Sequence, residues 1–141
     1  MPRCELRPGA VIFYEQFEGV NDVKDRYFVI VKNATPTVHC FTTTTIPWPE
    51  RNSRWAREYF EIKEDECCLP KRCFVDFIHP EYFDDIALGS KLTSRRVKHK
   101  CDLDGGLMTR LRDALYSSRT LSPAQKAELA FSLDERIRDG F

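Results

Sequence analysis

Five short apolar runs crowd the first 78 residues, and each is too short for an ordinary helix. Val11-Ile12-Phe13-Tyr14 follows the turn-forming pair Pro8-Gly9. Tyr27-Phe28-Val29-Ile30-Val31 is apolar throughout, as a strand buried on both sides would be. Thr37 to Thr45 is rich in β-branched residues, whose restricted χ1 costs less in a pleated backbone than in a helix. Glu58 to Ile62 and Cys73 to Ile78 complete the set, the last with Asp76 as its polar member. The polar stretch Glu15 to Asp25, with Gly19 and Asn21-Asp22 as turn formers, reads as a loop, and so does Ile46 to Arg57 with its two prolines and two tryptophans.

The second half changes character. His79-Pro80 closes the fifth run, and Pro80 to Ile86 predicts a short helix with proline near its start. Gly89 to Cys101 is basic, with Lys91, Arg95, Arg96, Lys98 and Lys100 and no acidic residue. Leu107, Leu111, Ala114 and Leu115 then recur at helical spacing, predicting a helix to about Tyr116. Ser122-Pro123-Ala124-Gln125 is a capping-box pattern that opens a last helix striped with Leu129, Leu133 and Ile137. Strands first and helices last, without regular alternation, predict a mainly β chain: a small, partly open antiparallel barrel over residues 1–118 with a C-terminal helical extension, 119–141, packed on it.

Composition narrows the functional classes. Twenty-two basic and 22 acidic residues cancel, so nucleic-acid binding requires a local basic patch. No apolar run approaches the roughly 20 residues of a membrane span, and Met1-Pro2-Arg3-Cys4-Glu5 lacks the apolar stretch of a secretory signal, so a cytoplasmic protein without membrane contact is expected. In that compartment the six cysteines, Cys4, Cys40, Cys67, Cys68, Cys73 and Cys101, are expected as free thiols. Cys40 and Cys73, inside apolar runs, read as small buried hydrophobes. Convergence of Cys67, Cys68, Cys73, His99 and Cys101 on zinc is the alternative, but no pair has the C-x2-C spacing that grips one tetrahedral ion, so no metal or other cofactor is expected.

Three segments, in order, resemble the MazF/PemK family of toxin-antitoxin toxins, within the Kid/CcdB superfamily. These are Pro8 to Tyr14, similar to the family's glycine-led opening strand; Lys24-Asp25-Arg26 before Tyr27 to Val31, similar to its basic residue at the start of an apolar strand; and Val38 to Thr43, where the family has an apolar strand ending in threonine or serine. Leu69-Pro70-Lys71 with Phe74-Val75-Asp76 stands in place of a later strand. Tyr27 occupies the position after the arginine where the family usually has proline, and the loop Ile46–Arg57 and the helix after Ser122 make this chain longer. The resemblance implies an SH3-like barrel, a homodimer, an antitoxin partner, and metal-independent endoribonuclease activity on single-stranded RNA. Some relatives of the fold act on other targets and cut no RNA, so a non-catalytic binding module or inhibitor is the alternative.

Metal-free cleavage requires the 2'-hydroxyl to attack the adjacent phosphorus while donors stabilise a phosphorane-like dianion. Arg26 suits that task, since a guanidinium stays charged and donates two parallel hydrogen bonds; its alternative is a surface ion pair with Asp22 or Asp25. Strand alternation turns Thr42 inward with Val38 and Cys40 and leaves His39, Phe41 and Thr43 on the other face. Thr43 and His39 thereby join Arg26 as catalytic candidates, the histidine as acid or base near neutral pH. Lys24, Thr42, Asp76, His79, Arg95 and Arg96 are candidate substrate contacts, and Trp48, with Trp55, offers flat surfaces for unpaired bases. Each has a plainer reading as β-propensity, helix cap, solvated face or packing residue.

Overall fold

A computed structural model describes residues 6–18, 23–45 and 58–139. The strands β1 (Ala10–Glu18), β2 (Val23–Ala34), β3 (Thr37–Thr44), β4 (Tyr59–Ile62) and β5 (Cys73–Asp84) are followed by α1 (Asp85–Thr93), β6 (Val97–Asp102), α2 (Gly105–Ser117) and α3 (Pro123–Asp139). All six strands form one antiparallel sheet in the order β4-β5-β3-β2-β1-β6, curled into a half-barrel.

All five expected strands are present, and three are longer than their apolar runs. β1 and β2 extend into the stretch expected as a loop, so Lys24 and Asp25 are strand residues. A bulge makes this possible: a three-residue step in β1, from Tyr14 to Phe17, lies opposite a two-residue step in β2, from Arg26 to Lys24, and Gln16 adopts φ +51°. Asp25 accepts the Gln16 N–H at 2.9 Å, and Arg96 donates to the Gln16 carbonyl at 3.3 Å.

The short helix expected from Pro80 is instead the second half of β5. Beyond Asp76 that strand has lost β4 as a neighbour, and Pro80 pairs with β3 opposite Phe41. Among the described residues Pro80 has a strand neighbour on one side only, the edge-type position where proline is tolerated. Helix α1 starts at Asp85, capped by the Asp84 carboxylate on the Ala87 N–H. The stretch Val97 to Cys101, part of the basic run to which the sequence assigns no element, is β6 and pairs with β1. One helix and one strand thus interrupt the expected order.

The sheet is buried on both faces. Val29, Val31, Phe41, Val75 and Phe77 pack with Leu107, Leu111 and Leu115 of α2 and Leu129 and Leu133 of α3. Ile12, Phe28, Ile30, Val38 and Cys40 pack on the opposite side with Leu88 of α1 and Val97. β3 is central to both, which explains its near-continuous burial from Val38 to Thr42. The capping box forms as read, with Ser122 N–H to Gln125 at 2.8 Å and Gln125 N–H to Ser122 Oγ at 3.1 Å. Among the described residues no helix is long and apolar enough to cross a membrane.

The thiol expectation fails at one pair: Cys68 and Cys101 form a disulfide across 33 residues of sequence. Cys40 and Cys73 are free and buried, as their runs implied, and Cys67 is free and half-buried.

Candidate functional site

Two depressions flank β3, one at each end of the face that carries His39, Phe41 and Thr43. The first is a groove of about 300 Å³ between the start of β2, the end of β3 and the loop before β5. Lys24, Arg26 and Tyr27 line one wall, Thr43 and Thr44 the floor, and Leu69, Pro70 and Lys71 the other wall. Three cationic residues against the single carboxylate of Asp25 give it a positive bias, and that carboxylate is already committed to the Gln16 N–H.

Thr43 is half-buried, and its hydroxyl donates to the Tyr27 carbonyl at 3.2 Å, which ties the floor to the wall. The hydroxyl oxygen retains acceptor capacity. Thr42 is turned inward and 9% exposed, on the Phe28 side, and does not line the groove. The sheet's alternation sends Arg26 to that same side, with Phe28, while Tyr27 and Thr43 share the groove side. Arg26 nonetheless lines the groove, two residues beyond the last β2–β3 pair, Phe28 with Thr42. On its own side it faces Glu81, which sequence reading passed over: burial raises the Glu81 carboxyl, and the positive charges of Arg26 and His79 draw it back down without cancelling that rise.

The second depression holds His39. It is a smaller cavity, about 180 Å³, bounded by Phe41, Pro80, Tyr82 and the α3 residues Gln125, Glu128 and Leu129. The His39 ring meets Tyr82 edge-on at 5.0 Å between centroids. Burial lowers its pKa, Glu128 opposes that and Lys32 adds to it. His39 and Thr43 share a strand face, but four residues of extended chain separate them by about 13 Å, and they do not share a cavity.

Asp76 and His79 brace the backbone. A two-residue step in β3, from Phe41 to Thr43, lies opposite a five-residue step in β5, from Pro80 back to Val75, so β5 bulges between them. Within that bulge Asp76 accepts the Ile78 N–H at 2.7 Å and meets His79 Nδ1 at 3.0 Å. Neither lines the groove, and neither caps a helix. Arg96 and Lys98 are turned to β1, Arg96 on the bulge carbonyls and Lys98 on Glu15 at 2.9 Å. Arg95 takes the left-handed turn position after α1, φ +65°. Lys100 comes closer to the groove: its ammonium stands over the Phe13 ring at 5.9 Å, and Phe13 contacts Tyr27 at 4.8 Å. Trp48 and Trp55 lie outside the described residues.

A further carboxylate escaped notice in the sequence. Glu58 is 1% exposed and sits beneath the turn joining α2 to α3. It accepts the Arg119 N–H at 2.7 Å and the hydroxyls of Ser118 at 2.5 Å and Thr120 at 2.6 Å. Burial pushes its pKa up, and these hydrogen bonds, the Arg119 N–H foremost, more than reverse it, leaving it below the ordinary carboxylate value. No periodicity marks such a residue, because its partners lie about 60 positions away.

No family model matches the chain, and no curated protein does.

Proposed function

We propose that the groove at the end of β2 and β3 binds the phosphodiester backbone of single-stranded RNA and cleaves it without a metal, in the manner of the MazF/PemK toxins that the sequence resembles. The observation that carries this reading is the convergence of Lys24, Arg26, Lys71 and Thr43 on one open groove. Cations there neutralise phosphate, Arg26 donates to the developing negative charge, and Thr43 orients a non-bridging oxygen by turning its hydroxyl proton from the Tyr27 carbonyl to the phosphate. His39 lies in the other cavity and is left out of this reading, and so is Glu81, which does not line the groove. The same reading includes an SH3-like description of the half-barrel, a cytoplasmic setting, a homodimer and an antitoxin that masks the groove.

The decisive experiment incubates single-stranded RNA with purified protein in EDTA. Cleavage leaving 2',3'-cyclic phosphate ends is expected, since that product follows from attack by the 2'-hydroxyl. Intact RNA with tight, salt-sensitive binding supports the second reading, a binding module. That reading has its own observation: the groove walls hold no histidine among the described residues, and the Thr43 hydroxyl proton is engaged by the Tyr27 carbonyl. RNA neither cut nor bound excludes both.

A further inference from the structure

The loop that forms one wall of the groove is pinned by sulfur. Cys67 and Cys68 lie at its start, and Cys68 is joined to Cys101 on β6. The sulfurs of Cys67, Cys68 and Cys101 all lie within 4.8 Å of one another. A disulfide needs two of them, which leaves Cys67 to explain.

Cys67 is free and half-buried beside the bridged pair. A disulfide uses two of the three sulfurs, whereas a soft divalent cation takes up all three, displacing the thiol protons and binding each cysteine as a thiolate.

The geometry points to a thiolate metal site of the zinc class, formed by Cys67, Cys68 and Cys101 once the disulfide is reduced. Tetrahedral zinc with Zn–S bonds of about 2.3 Å sets its sulfurs about 3.8 Å apart; Cys67 lies within 4.8 Å of both bridged sulfurs, and reduction lets Cys68 and Cys101 open to that spacing. Cys73 is buried in the same apolar cluster and is pushed up to about 12 by burial and by Cys67, but it lies outside the three-sulfur group, so water completes the four positions. The exchange balances as written: a dithiol reductant gives two electrons and two protons to the Cys68–Cys101 bond and becomes a disulfide itself. Zinc then displaces three thiol protons. Either state ties the loop carrying Leu69, Pro70 and Lys71 to β6, so the groove wall is held in both. The expected C-x2-C signature is missing because adjacent cysteines on a loop and a third on a distant strand supply the ligands.

The test uses the full chain, reduced anaerobically with a trialkylphosphine, freed of reductant and dialysed against buffered Zn2+. Reduced parent protein should retain about one zinc per chain, and the oxidised protein none. Cys67→Ser should bind at least about tenfold more weakly, while its intact disulfide in the oxidised form, with an unchanged melting temperature, certifies its fold. With Co2+ as the probe, the parent should show a thiolate-to-metal charge-transfer band that Cys67→Ser weakens. Reduced parent without stoichiometric zinc, equal binding by Cys67→Ser, or equal binding by the oxidised protein overturns the assignment.

Discussion

The two ends of one strand face have met different fates. At one end of β3, His39 and Phe41 are roofed by α3, with Lys32 paired to Glu128 across the junction and Leu129 closing the cavity. At the other end, Thr43 lies in a groove lined by no helix residue among the described residues, between a basic strand start and the Leu69–Lys71 loop. Periodicity assigned all three residues to one face and could go no further. What separates them is which part of the face a distant helix occupies, and α3 begins 80 residues after Thr43. Chemistry read from strand alternation is thus only half a site.

The largest effect should come from removing the roof's anchor. Leu133 is fully buried between α3 and the sheet, so Leu133→Ala should cost about 2–5 kcal/mol, read as a lower denaturant midpoint with an unchanged slope. An unchanged midpoint would mean that α3 does not hold the sheet. Next in size, Arg26→Ala should reduce RNA cleavage by about 10²–10³, the loss expected on deleting one preorganised donor, with little change in melting temperature. Equal rates would remove Arg26 from the site.

Much of this arrangement was legible. The five strands, the α2 stripe and the Ser122–Gln125 cap follow from local chemistry, and each is where the sequence put it. Failures occurred where a distant partner overrides a local signal. Pro80 marks a helix start by itself but stays in strand because β3 continues beside it where β4 does not. Val97 to Cys101 reads as a charged face until β1 offers an edge. Asp76, His79 and Arg96 were candidate RNA contacts, and each is spent on shaping a bulge. Cys68, on the loop before β5, pairs with Cys101 on β6, which sequence spacing does not bring together.

Glu58 sharpens the contrast between roof and groove, because it fixes the turn from which α3 departs. Glu58→Gln leaves the Ser118, Arg119 and Thr120 donors partly unmatched and should cost about 1–3 kcal/mol at neutral pH. Its folded pKa is lowered, so its stabilisation is fully present above the ordinary carboxylate value near 4.5 and is lost as pH falls through the lower folded value. The gap between parent and variant melting temperatures should therefore close on acidification. A gap independent of pH would mean that Glu58 acts without its charge. Smallest is the pair Thr43→Val and Thr42→Val: the first should slow RNA cleavage with the fold intact, the second should leave it nearly unchanged. The reverse ranking would place the reactive side on the Phe28 face.

Amide chemical-shift mapping with a single-stranded oligonucleotide blocked at its 2'-hydroxyls reads the two ends of the face in one titration. Binding in the groove predicts shifts concentrated at Lys24 to Tyr27, Thr43 to Thr45 and Leu69 to Lys71, with His39, Tyr82 and Gln125 unmoved. Shifts centred on His39 and α3, with the groove silent, would contradict it.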